Sequence, residues 1–270
     1  MRELVISKYE AGQRFDKFLA KYMELAPKSF FYKMMRKKNI TLNGKKAAGN
    51  EKLEKGDTVK LFLSEETIEG FREKKKRAVH TGAKLDILYE DEQVMLINKP
   101  AGMLSQKAEK GDISMVEHLI SHLLDTGEVT EEMLKTFRPS LCNRLDRNTS
   151  GIVAAGKTLQ GLQMLSGLFK ERTLHKYYLC IVKGVIKEEQ DVRGWLLKNE
   201  KTNQVRIFKN ETKDARPIHT KYRPLADNGQ ETLLEIELLT GRTHQIRAHF
   251  SLIGHPVVGD GKYGNFEINK

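Results

Sequence analysis

The chain has 270 residues, 39% of them hydrophobic and 31% charged, which suits one large globular domain or a small and a medium one and excludes intrinsic disorder. With no apolar run of about 18 residues and no signal-peptide pattern at Met1-Arg2-Glu3-Leu4, a cytoplasmic protein without a membrane span is expected. The net charge of +11 is uneven: residues 1–82 carry 20 Lys+Arg against 11 Asp+Glu and the remainder 27 against 25, which points to an N-terminal module that binds a polyanion.

Phe15, Phe18, Leu19 and Tyr22 recur at i, i+3, i+4 and i+7, the spacing of a helix with one apolar face. Pro27-Lys28-Ser29 breaks the chain, and Ser29 is placed to cap a second helix. That helix carries Phe30, Phe31, Met34 and Met35 and ends on Arg36-Lys37-Lys38. Ile40-Thr41-Leu42, the hairpin signal Asn43-Gly44 and Lys45-Lys46 follow, and Val59, Leu61 and Leu63 alternate further on. Two helices on a small sheet are expected, with the aromatic residues as core.

This pattern resembles the small RNA-binding module named after a ribosomal small-subunit protein, the S-four domain, over roughly residues 12–63. The resemblance lies in Arg14-Phe15-Asp16-Lys17-Phe18-Leu19 and in the basic second helix that runs into a strand and an Asn-Gly turn. It implies Lys33, Arg36, Lys37, Lys38, Lys45 and Lys46 as contacts to RNA phosphates, giving affinity and placement with little base reading. Residues 65–82 have dense charge without apolar periodicity and read as a solvated linker, with Lys74-Lys75-Lys76-Arg77 as a further candidate RNA contact.

From residue 83 onward, Leu85–Tyr89 and Gln93–Ile97 read as strands around the acidic turn Glu90-Asp91-Glu92. Asn98-Lys99-Pro100-Ala101-Gly102 stops the second strand in a tight loop, where Lys99 suits a structural or phosphate role better than that of a catalytic amine. Helices are expected over 115–124 and over Leu159–Phe169, and a strand over His175–Gly184. In that strand Lys176, Tyr178 and Cys180 share one face, opposite Tyr177, Leu179 and Ile181, and Tyr177 is the better core tyrosine. Trp195, Val205 and Ile207 are expected in a sheet core. Cys142 and Cys180 lack a partner motif, and His244 and His249 lack a neighbouring carboxylate or Cys, so neither a disulfide nor a metal site is expected.

Asn143-Arg144-Leu145-Asp146-Arg147-Asn148-Thr149-Ser150-Gly151 sets one carboxylate between two arginines in a turn-forming run, just before the apolar stretch Ile152–Ala155. A strand behind such a turn would hold Asp146 on rigid scaffold, with guanidinium groups favouring its charged form. An isolated string of this kind is more often a surface Asp paired locally.

Here, however, the run resembles the His-Arg-Leu-Asp-Arg-Asp-Thr-Ser-Gly signature of the RluA-type pseudouridine synthases at all but two positions, Asn143 and Asn148. The likeness extends through most of residues 83–264. It covers the Asn98–Gly102 run and also Gly241-Arg242-Thr243-His244-Gln245-Ile246-Arg247. It implies Asp146 as the single catalytic carboxylate, Tyr178 as the tyrosine that stacks on the uracil, and Arg247 as the arginine that faces the carboxylate. Arg144 is a gap-filling or phosphate-gripping candidate beside Asp146. Gly259–Gly264 reads as a tight structural turn. Family members usually continue into further strands, so C-terminal strands missing after Lys270 are part of this expectation.

The resemblance implies an α+β fold, with a mixed, mainly antiparallel-sheet catalytic domain (83–270) behind a small N-terminal αβ RNA-binding module (1–64) and the linker (65–82). It implies an isomerase that flips uridine out of structured RNA, most often large-subunit ribosomal RNA, and returns pseudouridine, with no cofactor and no metal, acting as a monomer. Asp146 would attack the ribose anomeric carbon or remove a neighbouring ribose proton. A tRNA-directed synthase is one alternative. A non-catalytic RNA-binding or ribosome-assembly factor is favoured slightly by Asn143 and Asn148, and disfavoured by Asp146, Tyr178 and Arg247 standing together.

Overall fold

Helical spacing and short alternation in the N-terminal segment converge on one small core. In the structure, a computed structural model that describes residues 1–72 and 80–264, the order is β1 (Arg2–Val5), α1 (Phe15–Tyr22), α2 (Lys28–Arg36), β2 (Ile40–Leu42), β3 (Lys45–Lys46), β4 (Thr58–Leu61) and α3 (Glu65–Gly70). The strands form an antiparallel sheet in the order β1-β4-β2-β3. Phe15, Phe18, Leu19 and Tyr22 are buried against Phe31, Met35, Ile40, Val59 and Leu61. Asn43 and Gly44 both take positive φ, 52° and 71°, the geometry that matches a two-residue hairpin to strand twist.

Two expectations are corrected in this region. Ser29 does not cap α2: the helix starts at Lys28, so Ser29 lies inside its first turn, and Pro27 holds the N-cap in extended conformation with no side-chain acceptor to offer. The expected linker begins with α3, where the Ser64 Oγ accepts from the Thr67 N–H at 3.2 Å, Ile68 is fully buried, and Phe71 meets the Phe30 ring at 4.8 Å between centroids. One buried apolar position in six residues leaves no period to read. Lys74–Arg77 lies outside the described residues.

The chain continues through β5 (Ile87–Glu90), β6 (Val94–Lys99), α4 (Met115–Asp125), α5 (Met133–Thr136), β7 (Ser140–Leu141), β8 (Gly151–Gly156) and α6 (Leu159–Glu171). These strands form a second antiparallel sheet, β5-β6-β8-β7. α6 lies so close to β6 that a Cβ on Gly161 would stand 2.2 Å from the Gln93 carbonyl oxygen, which only glycine permits. The N-terminal module is docked on this part: α1 packs on α5, the Thr136 hydroxyl donates to Glu10 Oε1 at 2.7 Å, Gln13 Nε2 donates to the Thr136 carbonyl at 3.4 Å, and the Leu159 N–H donates to the Tyr9 carbonyl at 3.2 Å. Glu10, Gln13 and Thr136 are all buried.

Compactness divides the chain within the last turn of α6, into a unit ending at Phe169 and one starting at Lys170. The second unit holds β9 (Tyr177–Lys183), β10 (Gln190–Asn199), β11 (Gln204–Phe208), β12 (Arg216–Asp227), β13 (Glu231–Leu238) and α7 (Gln245–Leu252), with sheet order β11-β10-β12-β13-β9. Every strand pair among the described residues is antiparallel, and the fold is α+β.

The alternation in β9 is as expected, but its faces are reversed. Tyr178 and Cys180 pack towards Val182, Tyr222, Leu234, Ile236 and Phe250, while Tyr177 is 60% exposed, so Tyr177 is not a core tyrosine. Leu196, not the half-buried Trp195, joins Val205 in the core of the β10–β11 hairpin. Alternation reveals two faces, and only the packed neighbours decide which is covered.

Candidate active site

Asp146 stands in the connection from β7 to β8, and three side chains fix the main chain around it. At the neck, Asn143 Nδ2 donates to the Ile152 carbonyl at 3.1 Å and its Oδ1 accepts from the Ala154 N–H at 2.7 Å, so an amide side chain prolongs the ladder. Asparagine here closes the neck of the loop through both ends of its amide. On one side of Asp146, the Ser105 hydroxyl donates to the Leu145 carbonyl at 2.8 Å and accepts from the Leu145 N–H at 3.0 Å. On the other, the fully buried Lys99 ammonium donates to the carbonyls of Arg147 (3.1 Å), Met103 (2.8 Å) and Pro100 (2.9 Å).

Burial pushes the Lys99 ammonium down from its ordinary value, and the Asp146 charge opposes that shift. An amine with three carbonyl acceptors has all its protons engaged, which makes Lys99 a pin between two loops. Gly151 closes the turn at φ +128°, a conformation that side chains rarely adopt. Asp146 is half-buried with Arg144 and Arg147 exposed beside it, so the carboxylate is presented on an immobilised turn flanked by cations.

The six candidate phosphate contacts also share one unit with Asp146. Lys33 and Arg36 lie on α2, Lys37 and Lys38 end it, Lys45 and Lys46 form β3, and all six are exposed. Arg36 and Lys46 line a shallow depression with Tyr32 and Met35. The Arg14-x-Asp16 element is a structural lock. Arg14 grips the buried Asp16 by two bonds of 3.1 Å, and the Tyr32 hydroxyl adds a third at 3.0 Å. Burial raises the Asp16 carboxyl, but these bonds outweigh it and hold the group below its ordinary range.

Tyr178 and Arg247 belong to the second unit. Tyr178 is half-buried on the inner face of β9. Arg247, on α7, is oriented by a residue that the sequence presented only as part of a turn. Asp260 takes its Nε at 2.7 Å and its Nη2 at 2.9 Å, and the guanidinium lies 5.2 Å from the Tyr263 ring centroid. Burial raises the Asp260 carboxyl, yet the Arg247 bonds and the Lys262 and Tyr263 amides bring it below its ordinary range. His244 Nδ1 meets the Tyr263 hydroxyl at 2.9 Å and His249 is buried between Tyr222 and Phe250, so the two histidines serve separate neighbourhoods. Among the described residues no three His, Cys, Asp or Glu side chains group to hold a metal ion, and no helix is long and apolar enough to cross a membrane.

A half-buried carboxylate on a pinned turn thus stands in a chain with a basic αβ module and antiparallel sheets. The RNA pseudouridylate synthase family matches residues 93–252. The chain is 34% identical over 264 residues to the ribosomal large subunit pseudouridine synthase C of Vibrio cholerae, covering 94% of this chain and 78% of that protein. It is 31% identical over 279 residues to the Escherichia coli protein of the same name, covering 99% and 81%. Human RNA pseudouridylate synthase domain containing 1 shares the fold, with a TM-score of 0.55 and 24% identity over 68% of this chain and 71% of that one. The chain belongs to the RNA pseudouridylate synthase family, and it is an isomerase.

Proposed function

We propose that the protein isomerises uridine to pseudouridine in large-subunit ribosomal RNA, as a cytoplasmic monomer, with Asp146 as the catalytic carboxylate. The observation that carries this reading is the Asp146 turn, pinned by Asn143, Ser105 and Lys99 inside the stretch that the family matches. The ribosomal substrate follows from the names of the relatives. Arg144, Tyr178 and Arg247 are assigned to substrate binding, and Lys33, Arg36, Lys37, Lys38, Lys45 and Lys46 to RNA phosphates. Residues 1–64 serve recognition and 83–270 serve chemistry.

Flipping a base out of its stack costs a few kcal/mol, which a cationic holding surface offsets, while the chemistry needs one carboxylate kept in place. Asp146→Asn keeps the shape of the turn and removes the charge. It is expected to abolish pseudouridine formation on a large-subunit ribosomal RNA transcript while the dissociation constant for that transcript stays within about threefold, since a carboxylate adds nothing favourable to a polyanion encounter. Turnover above a few per cent of wild type would overturn the assignment.

A further inference from the structure

Ser105 lies 40 residues from Leu145 in sequence, in a loop to which no motif assigns a role, and among the described residues both hydrogen bonds of its side chain go to that one residue of the Asp146 turn. A hydroxyl has one proton to donate and lone pairs to accept. Here the proton goes to the Leu145 carbonyl at 2.8 Å and a lone pair receives the Leu145 N–H at 3.0 Å, in a site where Ser105 is 4% exposed. Ser105 is itself anchored. The Met115 N–H, at the start of α4, donates to the Leu104 carbonyl at 2.8 Å, and Lys99, at the end of β6, holds the Met103 carbonyl.

We infer that Ser105 is a positioning residue for Asp146, transmitting the placement of α4 and β6 to the peptide units on either side of Leu145, directly before the carboxylate. A reacting group displaced by about 1 Å loses roughly 100-fold in rate, so loss of this grip appears in turnover before it appears in RNA affinity. The inference rests on Asp146 being the catalytic carboxylate.

The test compares Ser105→Thr with Ser105→Val, which match in shape and differ in the hydroxyl. On a large-subunit ribosomal RNA transcript, kcat of Ser105→Val is expected at least about tenfold below that of Ser105→Thr, with KM values within about threefold of each other. Equal kcat values overturn the inference whatever their absolute level. Should the added methyl group prevent folding of both, Ser105→Ala decides: a kcat about tenfold down at unchanged KM supports the inference, and a wild-type kcat overturns it. Asp146→Asn, measured alongside, separates the two claims. If it is inactive while Ser105→Thr and Ser105→Val have equal kcat, only the role of Ser105 falls; if it is active, the reading of Asp146 falls first.

Discussion

Arg247 illustrates how much of a cation's work is geometry. Its fork meets both oxygens of Asp260, whose side chain is 3% exposed, and its plane lies over Tyr263. A lysine keeps the charge but offers a single point of contact and no planar face. In Arg247→Lys one of the two bonds to a buried carboxylate is lost, which costs about 1–3 kcal/mol, and the cation is no longer aimed. A lower melting temperature with kcat well below wild type and KM changed much less is the expected outcome of thermal melts and steady-state assays. Wild-type kcat in a folded Arg247→Lys would remove Arg247 from the substrate-binding set.

Elements with strong periods were legible and elements without them were not. The apolar face of α1, the hairpin at Asn43-Gly44, α4 and the two faces of β9 follow from spacing, because a repeated pattern reports a local surface. β1, α3 and α5 are four to six residues long, too few positions to show a repeat. In the candidate site, Asp146 is proposed from its motif, whereas Ser105 and Asp260 make contacts across 40 and 13 residues that no local pattern encodes. Lys38 is a case where the local rule is broken: it ends α2 at φ 60°, with its N–H bonded to the Met35 carbonyl, in a position that favours glycine. Such strain persists when a side chain is needed there. Lys38→Gly is therefore expected to raise the melting temperature by roughly 2–4 °C. The same change is expected to lower the log–log salt slope of RNA binding by about 0.7–0.9, as one phosphate contact disappears. A stabilised variant with an unchanged slope would take Lys38 off the RNA surface.

At the scale of the whole molecule, the charge asymmetry and the docking of the basic module bear on each other. If the module were tethered by a linker, deleting it would be the natural test of RNA affinity. The buried bonds among Glu10, Gln13 and Thr136, and the packing of α1 on α5, mean that deletion would also uncover part of the unit that carries Asp146. Loss of activity after deletion would then report damage as much as lost recognition. Charge removal on an intact surface avoids this. Lys33, Arg36, Lys37, Lys45 and Lys46 are all exposed, so replacing all five with glutamine leaves the core untouched. Each abolished phosphate contact lowers the slope of log affinity against log salt by roughly 0.7–0.9, so the slope is expected to flatten by up to about 4. At saturating RNA, kcat should stay near wild type, because the turn around Asp146 is built from β6, β8 and the loop at Ser105, none of which contains a substituted residue. A slope that does not move would place the RNA on another face of the protein, and a kcat that collapses at saturation would show that the module shapes the catalytic turn as well as holding the substrate.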